Sequence, residues 1–374
     1  LQMSKNMLDS EIVVKLLRDA NEDIPGEAAS DLNYERLAEG KGFTSHLYTV
    51  RYQGKKYAVK ITSSTTLVEG QEAYNEIAEQ QHNRELVAYQ WFKQVIEDYG
   101  SQDLSRIVRF YAGTPCLNGE KGYIIMDELS DEVTYDVKFT DGYKLSTIYS
   151  IVDQMIGYHT AYLSSEIELT LPSKDLLFKL GSNFVQDCVG KLPEKTWITD
   201  DVKKTIKEWS TPEALERMQY ELVGDEKDIP LVLCHGDLWQ NNILLKRDEN
   251  GDVELLSIVD WQCATVGLPM LDMTSVLIIN LDTAVRRAHE DEILQYYVDQ
   301  IDMNRSRFVK KYPITFDKIR SMYRRTMRFA ALQLMFVMAF QSGEDVNENE
   351  EGDGVIARRL RGALEDCFEY EKED

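Results

Sequence analysis

The order of polar and apolar residues in LVLCHGDLWQNNILL, 231–245, constrains this chain more than any other stretch. A loop of eight residues holding His235, Asp237, Asn241 and Asn242 lies between two strand-like apolar runs. After a turn at 247–252 (RDENGD), ELLSIVDWQ at 254–262 delivers Asp260 at the end of a further hydrophobic strand. A chain that folds these short strands together can bring Asp237, Asn242 and Asp260 beside one pocket. Two carboxylates and an amide oxygen form a hard-oxygen set suited to Mg2+, with phosphate oxygens and water filling the remaining positions. Such ligands serve nucleotide-dependent phosphoryl transfer, in which the protein positions groups and screens developing charge. Any one Asp or Asn is more often a turn residue. The whole pattern, His-x-Asp-x-x-x-x-Asn with an Asp eighteen residues later, is seldom the product of turn chemistry alone.

Charge narrows the partners. The chain carries 65 acidic and 42 basic residues, a net charge of -23, which repels phosphate backbones and argues against nucleic acid. An anionic cofactor must then be held by local groups and by metal. Five cysteines, odd in number, widely spaced and without a CxxC pair, argue against a disulfide scaffold and a structural zinc site. No run of 18 apolar residues occurs, and AALQLMFVMAF at 330–340 reads as a buried core helix. The expectation is a soluble, cytoplasmic protein with no membrane insertion, and no protein partner is evident.

Patterning changes along the chain. Helical spacing at 4–20 is followed by short alternating runs at 34–63, with QGKK at 53–56 as a hairpin connection. Residues 71–98 lack Pro and Gly and repeat apolar groups at helical spacing, and 106–115 and 121–129 read as a strand pair. Beyond about 143 the signal is mostly helical, at 145–165, 201–222, 272–300, 315–341 and 355–370. Strand-like pieces interrupt it at 231–234, 242–246 and 254–259, and the acidic run at 343–354 reads as a solvated loop. An α+β fold in two lobes is expected, with residues 1–128 forming the smaller, strand-rich unit and 129–374 the larger one.

HGDLWQNNILL and IVDWQ resemble the catalytic and metal-binding motifs of the aminoglycoside phosphotransferase and choline kinase superfamily. More narrowly, Trp239, Asn241, Asn242 and the triplet Asp260, Trp261, Gln262 resemble the CHK kinase-like, or ecdysteroid kinase-like, family. The resemblance spans most of the chain. It implies a bilobal protein kinase-like fold, with a small antiparallel-sheet lobe bearing one long helix and a large helical lobe, and ATP and Mg2+ as cofactors. Asp237 then matches the catalytic residue that orients the acceptor hydroxyl and takes its proton, while Asn242 and Asp260 match the metal ligands. Asp272 would brace the catalytic loop from a helix start. His235 would hold backbone by hydrogen bonding, and His159 would be structural.

In kinase-like folds a strand Lys touches the α- and β-phosphates while a helix Glu fixes its ammonium. Lys60, ending YAVK, and Glu85, in HNREL, fit these roles, although Glu76 and Glu79 share the helix and leave its register open. Gly40-x-Gly42, with Ser45 following, suits a loop bringing backbone N–H groups over phosphates. YIIMDEL resembles the linker between lobes, so that Met126 would wall the adenine pocket and backbone groups of Asp127, Glu128 and Leu129 would meet the base edge.

Departures from protein kinases are as informative. There is no HRD sequence, DWQ stands where DFG would, and no APE sequence follows, so a peptide substrate has no evident platform. No GxxxxGK[ST] sequence occurs, which disfavours a P-loop enzyme. The residues between the linker and His235 are helical and aromatic-rich and suit a closed acceptor pocket. The first expectation is an ATP-dependent O-kinase acting on a small-molecule hydroxyl. The family likeness implies an ecdysteroid-like acceptor, and more distant relatives imply choline, ethanolamine or an aminoglycoside. A catalytically silent protein binding nucleotide or a hydrophobic ligand is the alternative.

Overall fold

The computed structural model describes residues 8–20, 32–36, 45–62, 72–100, 102–117, 120–137, 139–190, 192, 195–340 and 354–370. The first part of the chain builds a five-stranded antiparallel sheet in the order β1-β2-β3-β5-β4. Its strands are β1 (Asn33–Arg36), β2 (His46–Tyr52), β3 (Lys55–Thr62), β4 (Phe110–Thr114) and β5 (Gly122–Asp127). Tyr52 pairs with Lys55 across a two-residue turn in which Gln53 and Gly54 both take positive φ, 50° and 75°. That conformation matches the twist of the flanking strands, and Gly adopts it at no steric cost.

Alternation assigns the two faces of this sheet. Tyr57, Val59, Ile61, Tyr123 and Ile125 pack with Val13, Val14 and Leu17 of helix α1 (Ser10–Ala20). Ala58, Ile124 and Met126 point the other way, into a core shared with Leu86, Tyr89 and Phe92 of the long helix α2 (Glu72–Tyr99). Lys60 shares the parity of Ala58, so its position on the strand directs it toward α2.

The remainder is mostly helical, opening with α3 (Leu145–Ser164), α4 (Asp175–Val189), α5 (Asp200–Trp209) and α6 (Pro212–Tyr220). Two small ribbons follow: β6 (Val232–Cys234) pairs with β9 (Thr265–Gly267), and β7 (Ile243–Arg247) with β8 (Val253–Ile258). The helices α7 (Leu271–Asn280), α8 (Thr283–Asn304), α9 (Phe316–Phe340) and α10 (Val355–Tyr370) complete the chain. Every residue of α7 is buried, and its polar Asp272, Thr274, Ser275 and Asn280 find hydrogen-bond partners in the interior. Among the described residues no helix is long and apolar enough to cross a membrane.

The structure refines several boundaries. The stretch 201–222 is two helices, because Thr211 caps a new start with Pro212 in its first turn. The stretch 272–300 likewise divides at Leu281 and Asp282, both extended. Helix α4 and strand β9 had no distinct signal: α4 carries a Gly and a Ser mid-helix, and β9 is three residues long.

Candidate active site

The β6–β7 loop is held from several sides. Asp272, in the first turn of α7 and fully buried, accepts N–H groups from His235 at 2.6 Å and Gly236 at 2.9 Å, and the Tyr158 hydroxyl at 2.7 Å. The Gly236 carbonyl accepts from Gln333 of α9 at 3.3 Å. Gly236 has φ +78°, and a Cβ there would lie 2.5 Å from the Cys263 carbonyl oxygen, so no other residue fits without movement. His235 stands between two backbone groups: Nδ1 accepts from Asp237 N–H at 3.2 Å, which leaves Nε2–H to donate to Val259 O at 2.9 Å. Burial lowers its pKa and favours this neutral tautomer.

Asn242 is buried, and its Nδ2 donates to both the carbonyl (2.8 Å) and the carboxylate (3.2 Å) of Asp237. That orientation leaves Oδ1 as the atom a cation can use. Val259 N–H donates to Asn242 O at 3.0 Å, tying this loop to the residue before Asp260. Asp260 itself sits in the left-handed region, φ 67° and ψ 61°, a strained conformation for a residue with a side chain. Trp261, fully buried, fixes that turn by packing on Phe92 of α2 (4.6 Å), Tyr158 of α3 (5.3 Å) and His235 (4.7 Å).

Lys60 joins the two halves. Its Nζ donates to Glu85 Oε2 and to Asp260 Oδ1, each at 2.6 Å. Burial alone would lower the Lys60 pKa, but the two carboxylates outweigh it and hold the ammonium charged. Burial, and next the charge of Asp260, push Asp237 up to about 8, against the Asn242 hydrogen bond. Two carboxylates crowded in this way, with an amide oxygen beside them, fit a divalent cation held by Asn242 and Asp260.

Other nominated residues fall in different surroundings. His159 is fully buried, its Nδ1 3.0 Å from the Tyr297 hydroxyl, and burial lowers it to about 3. Its ring, Cys234 and Asp272 bring possible ligand atoms within 4.8 Å of one another. Asp272 is already engaged by three donors, and the Cys234 thiol donates to Leu268 O at 3.3 Å, so this trio works as a structural network. Met126 is buried on the α2 face of the sheet, opposite Ala58. The Asp127 carboxylate accepts from Tyr111 at 2.6 Å and its N–H donates to Arg109 O at 2.9 Å. Glu128 and Leu129 follow, both half-buried. Ser45 is half-buried just before β2, whereas Gly40 and Gly42 lie outside the described residues.

A family model described as "Uncharacterized oxidoreductase dhs-27", DUF1679, matches residues 27–374. The chain belongs to DUF1679. Two curated relatives come from Caenorhabditis elegans. "Uncharacterized oxidoreductase dhs-27" is 28% identical over 80% of this chain and 38% of its own length. "Uncharacterized kinase-like protein D1044.1" is 23% identical over 70% of each. The DUF1679 chain therefore spans well under half of dhs-27. Among solved structures, a Ralstonia eutropha JMP134 protein provisionally assigned as an aminoglycoside phosphotransferase is similar with a TM-score of 0.52 at 16% identity, covering 98% of this chain and 99% of that one. Choline kinase from Cryptosporidium parvum Iowa II is similar with a TM-score of 0.50 at 13% identity, covering 98% and 96%. The DUF1679 chain thus shares the kinase-like fold of these two structures.

Tyr158 and Trp261 also contribute to the DUF1679 site, although the sequence offers Tyr158 only as one of the aromatics of an acceptor pocket and Trp261 only as part of a family triplet. An aromatic on a buried helix face reads as core, and only their contacts with Asp272 and His235 reveal the second duty.

Proposed function

We propose that this protein is an ATP-dependent phosphotransferase that moves the γ-phosphoryl group to a hydroxyl of a small molecule. The observation that carries this reading is the position of Lys60, which meets Glu85 and Asp260 together while Asp237 and Asn242 are locked to one another beside them. ATP would lie between residues 1–128 as the nucleotide lobe and 129–374 as the acceptor lobe, its phosphates on Lys60. Asn242 and Asp260 would hold Mg2+, which when bound neutralises charge on the phosphate oxygens. Asp237 would orient the acceptor hydroxyl and, ionised once a cation offsets the Asp260 charge, accept its proton as the new O–P bond forms and the bond from the γ-phosphorus to the bridging oxygen of ATP breaks, releasing ADP. Glu85 keeps Lys60 in place, and Asp272 with His235 keeps the loop under Asp237 from shifting.

The acceptor class is argued from what surrounds this centre. Helices α3–α6 occupy the chain between the linker and His235, and no activation-segment sequence follows Asp260 to seat a peptide. Their aromatic content suits an apolar polyol of the ecdysteroid kind, whose burial would contribute at about 25 cal/mol per Å2 before binding costs.

Transfer of isotope-labelled γ-phosphate, measured in parallel on hydroxylated steroids, choline, aminoglycosides and a generic basic protein, tests the proposal. Product is expected on a small molecule, with steroids first. Product on choline alone would keep the mechanism and reverse the substrate preference. Labelling of the protein alone, or none with Mg·ATP demonstrably bound, would reject the small-molecule kinase.

A further inference from the structure

A buried lysine stands behind the catalytic loop and, among the described residues, makes no salt bridge. Lys174 is 7% exposed at the start of α4, and its Nζ donates to a neutral acceptor, Gln219 Oε1, at 3.0 Å. Among the described residues no carboxylate lies within salt-bridge distance of it. The ammonium instead lies 3.3 Å from the point where a Cβ on Gly236 would stand, next to the Cys263 carbonyl. Its charge reaches Asp237, His235 and Cys263. Burial draws its own pKa down to about 8, so the ammonium persists at neutral pH.

The segment carrying Lys174 is pinned. Arg84, almost fully buried, donates from Nη2 to the carbonyls of Pro172 and Ser173 and from Nη1 to Ala264 O at 3.0 Å. Arg84 precedes Glu85 on α2, so the helix turn that fixes Lys60 also fixes the approach to Lys174. A buried cation with a neutral partner costs stability. Such a cost is met at sites where placement of charge serves a function.

We propose that Lys174 is a positioning residue for phosphoryl transfer, a fixed positive charge that holds the Gly236–Asp237 backbone and its surrounding carboxylates in the geometry the acceptor meets. This rests on the phosphotransferase reading. It differs from a packing role in the sign of its effect on stability, since Lys174→Met keeps the length of the side chain and removes the buried charge.

The test compares the full chain with Lys174→Met and Lys174→Arg. Hydrogen exchange of peptides covering 232–242 should quicken severalfold in Lys174→Met, alone or with Mg·ATP, and return toward the parent rate in Lys174→Arg. The melting temperature of Lys174→Met should equal or exceed that of the parent. With an acceptor that the parent phosphorylates, kcat should fall roughly tenfold or more while KM for ATP stays within about twofold. Unchanged exchange of the loop overturns the proposal, and so does unchanged kcat. A lowered melting temperature with full activity per folded molecule overturns it in favour of packing. A parent protein that phosphorylates nothing removes the kinase reading instead, and the exchange comparison then decides the positioning role by itself.

Discussion

At the scale of single residues, Asp237 and Asp260 are both carboxylates beside Asn242, yet they should fail differently. Asp260 meets Lys60 and is the proposed metal ligand, so Asp260→Ala should weaken Mg·ATP by about tenfold or more, roughly 1.4 kcal/mol, and leave adenosine affinity nearly unchanged. Calorimetric titration with both ligands reads the difference, and equal losses would remove the metal-ligand role. Asp237→Asn keeps the shape and the hydrogen bond from Asn242 but cannot take a proton. Transfer should drop by roughly 10^2 to 10^4 with Mg·ATP binding largely kept. Intact transfer by purified Asp237→Asn protein would overturn that assignment.

At the scale of elements, the loop is as strict as the residues it presents. Gly236→Ala would put a methyl group 2.5 Å from a backbone oxygen at a φ of +78°. A loss of roughly 1–3 kcal/mol in chemical denaturation is expected, with transfer lost beyond that stability change. How much of this was legible in the sequence follows from range. The β6–β7 loop and the Asp at the end of β8 announce themselves because ligand spacing and strand alternation are local. The partnership of Lys60 with Glu85 rather than Glu76 or Glu79 is set by helix phase against a sheet face, which the one-dimensional pattern leaves open. Asp272 was visible only through likeness to a family and Tyr158 only as one of many aromatics, while Lys174 and Gln333 carried no signal, since each acts through contacts that close only when distant helices pack. The single stretch at 201–222 hid a break because Thr211 and Pro212 fit a helix start as well as an interruption.

At the scale of the whole molecule, a net charge of -23 opposes both compactness and the approach of an anionic nucleotide. Raising ionic strength from about 0.01 to 0.15 M shortens the screening length from about 30 to about 8 Å. The association rate of Mg·ATP should therefore rise with salt in stopped-flow measurements, and a fall would locate the nucleotide in a basic local field instead. Mg·ATP at about 100 times its dissociation constant should stabilise the chain by about 2.7 kcal/mol, seen as a higher melting temperature that Asp260→Ala forfeits at the same ligand concentration. Arg84 gives this coupling a direction. One guanidinium grips carbonyls at 172, 173 and 264 from the helix that carries Glu85, so under the proposed function ordering on the acceptor side and ordering on the nucleotide side would draw on the same turn of α2. Thermodynamic reciprocity then requires that whatever factor a bound acceptor adds to nucleotide affinity, the nucleotide adds to acceptor affinity, and cutting the grip with Arg84→Met should bring both factors toward one together.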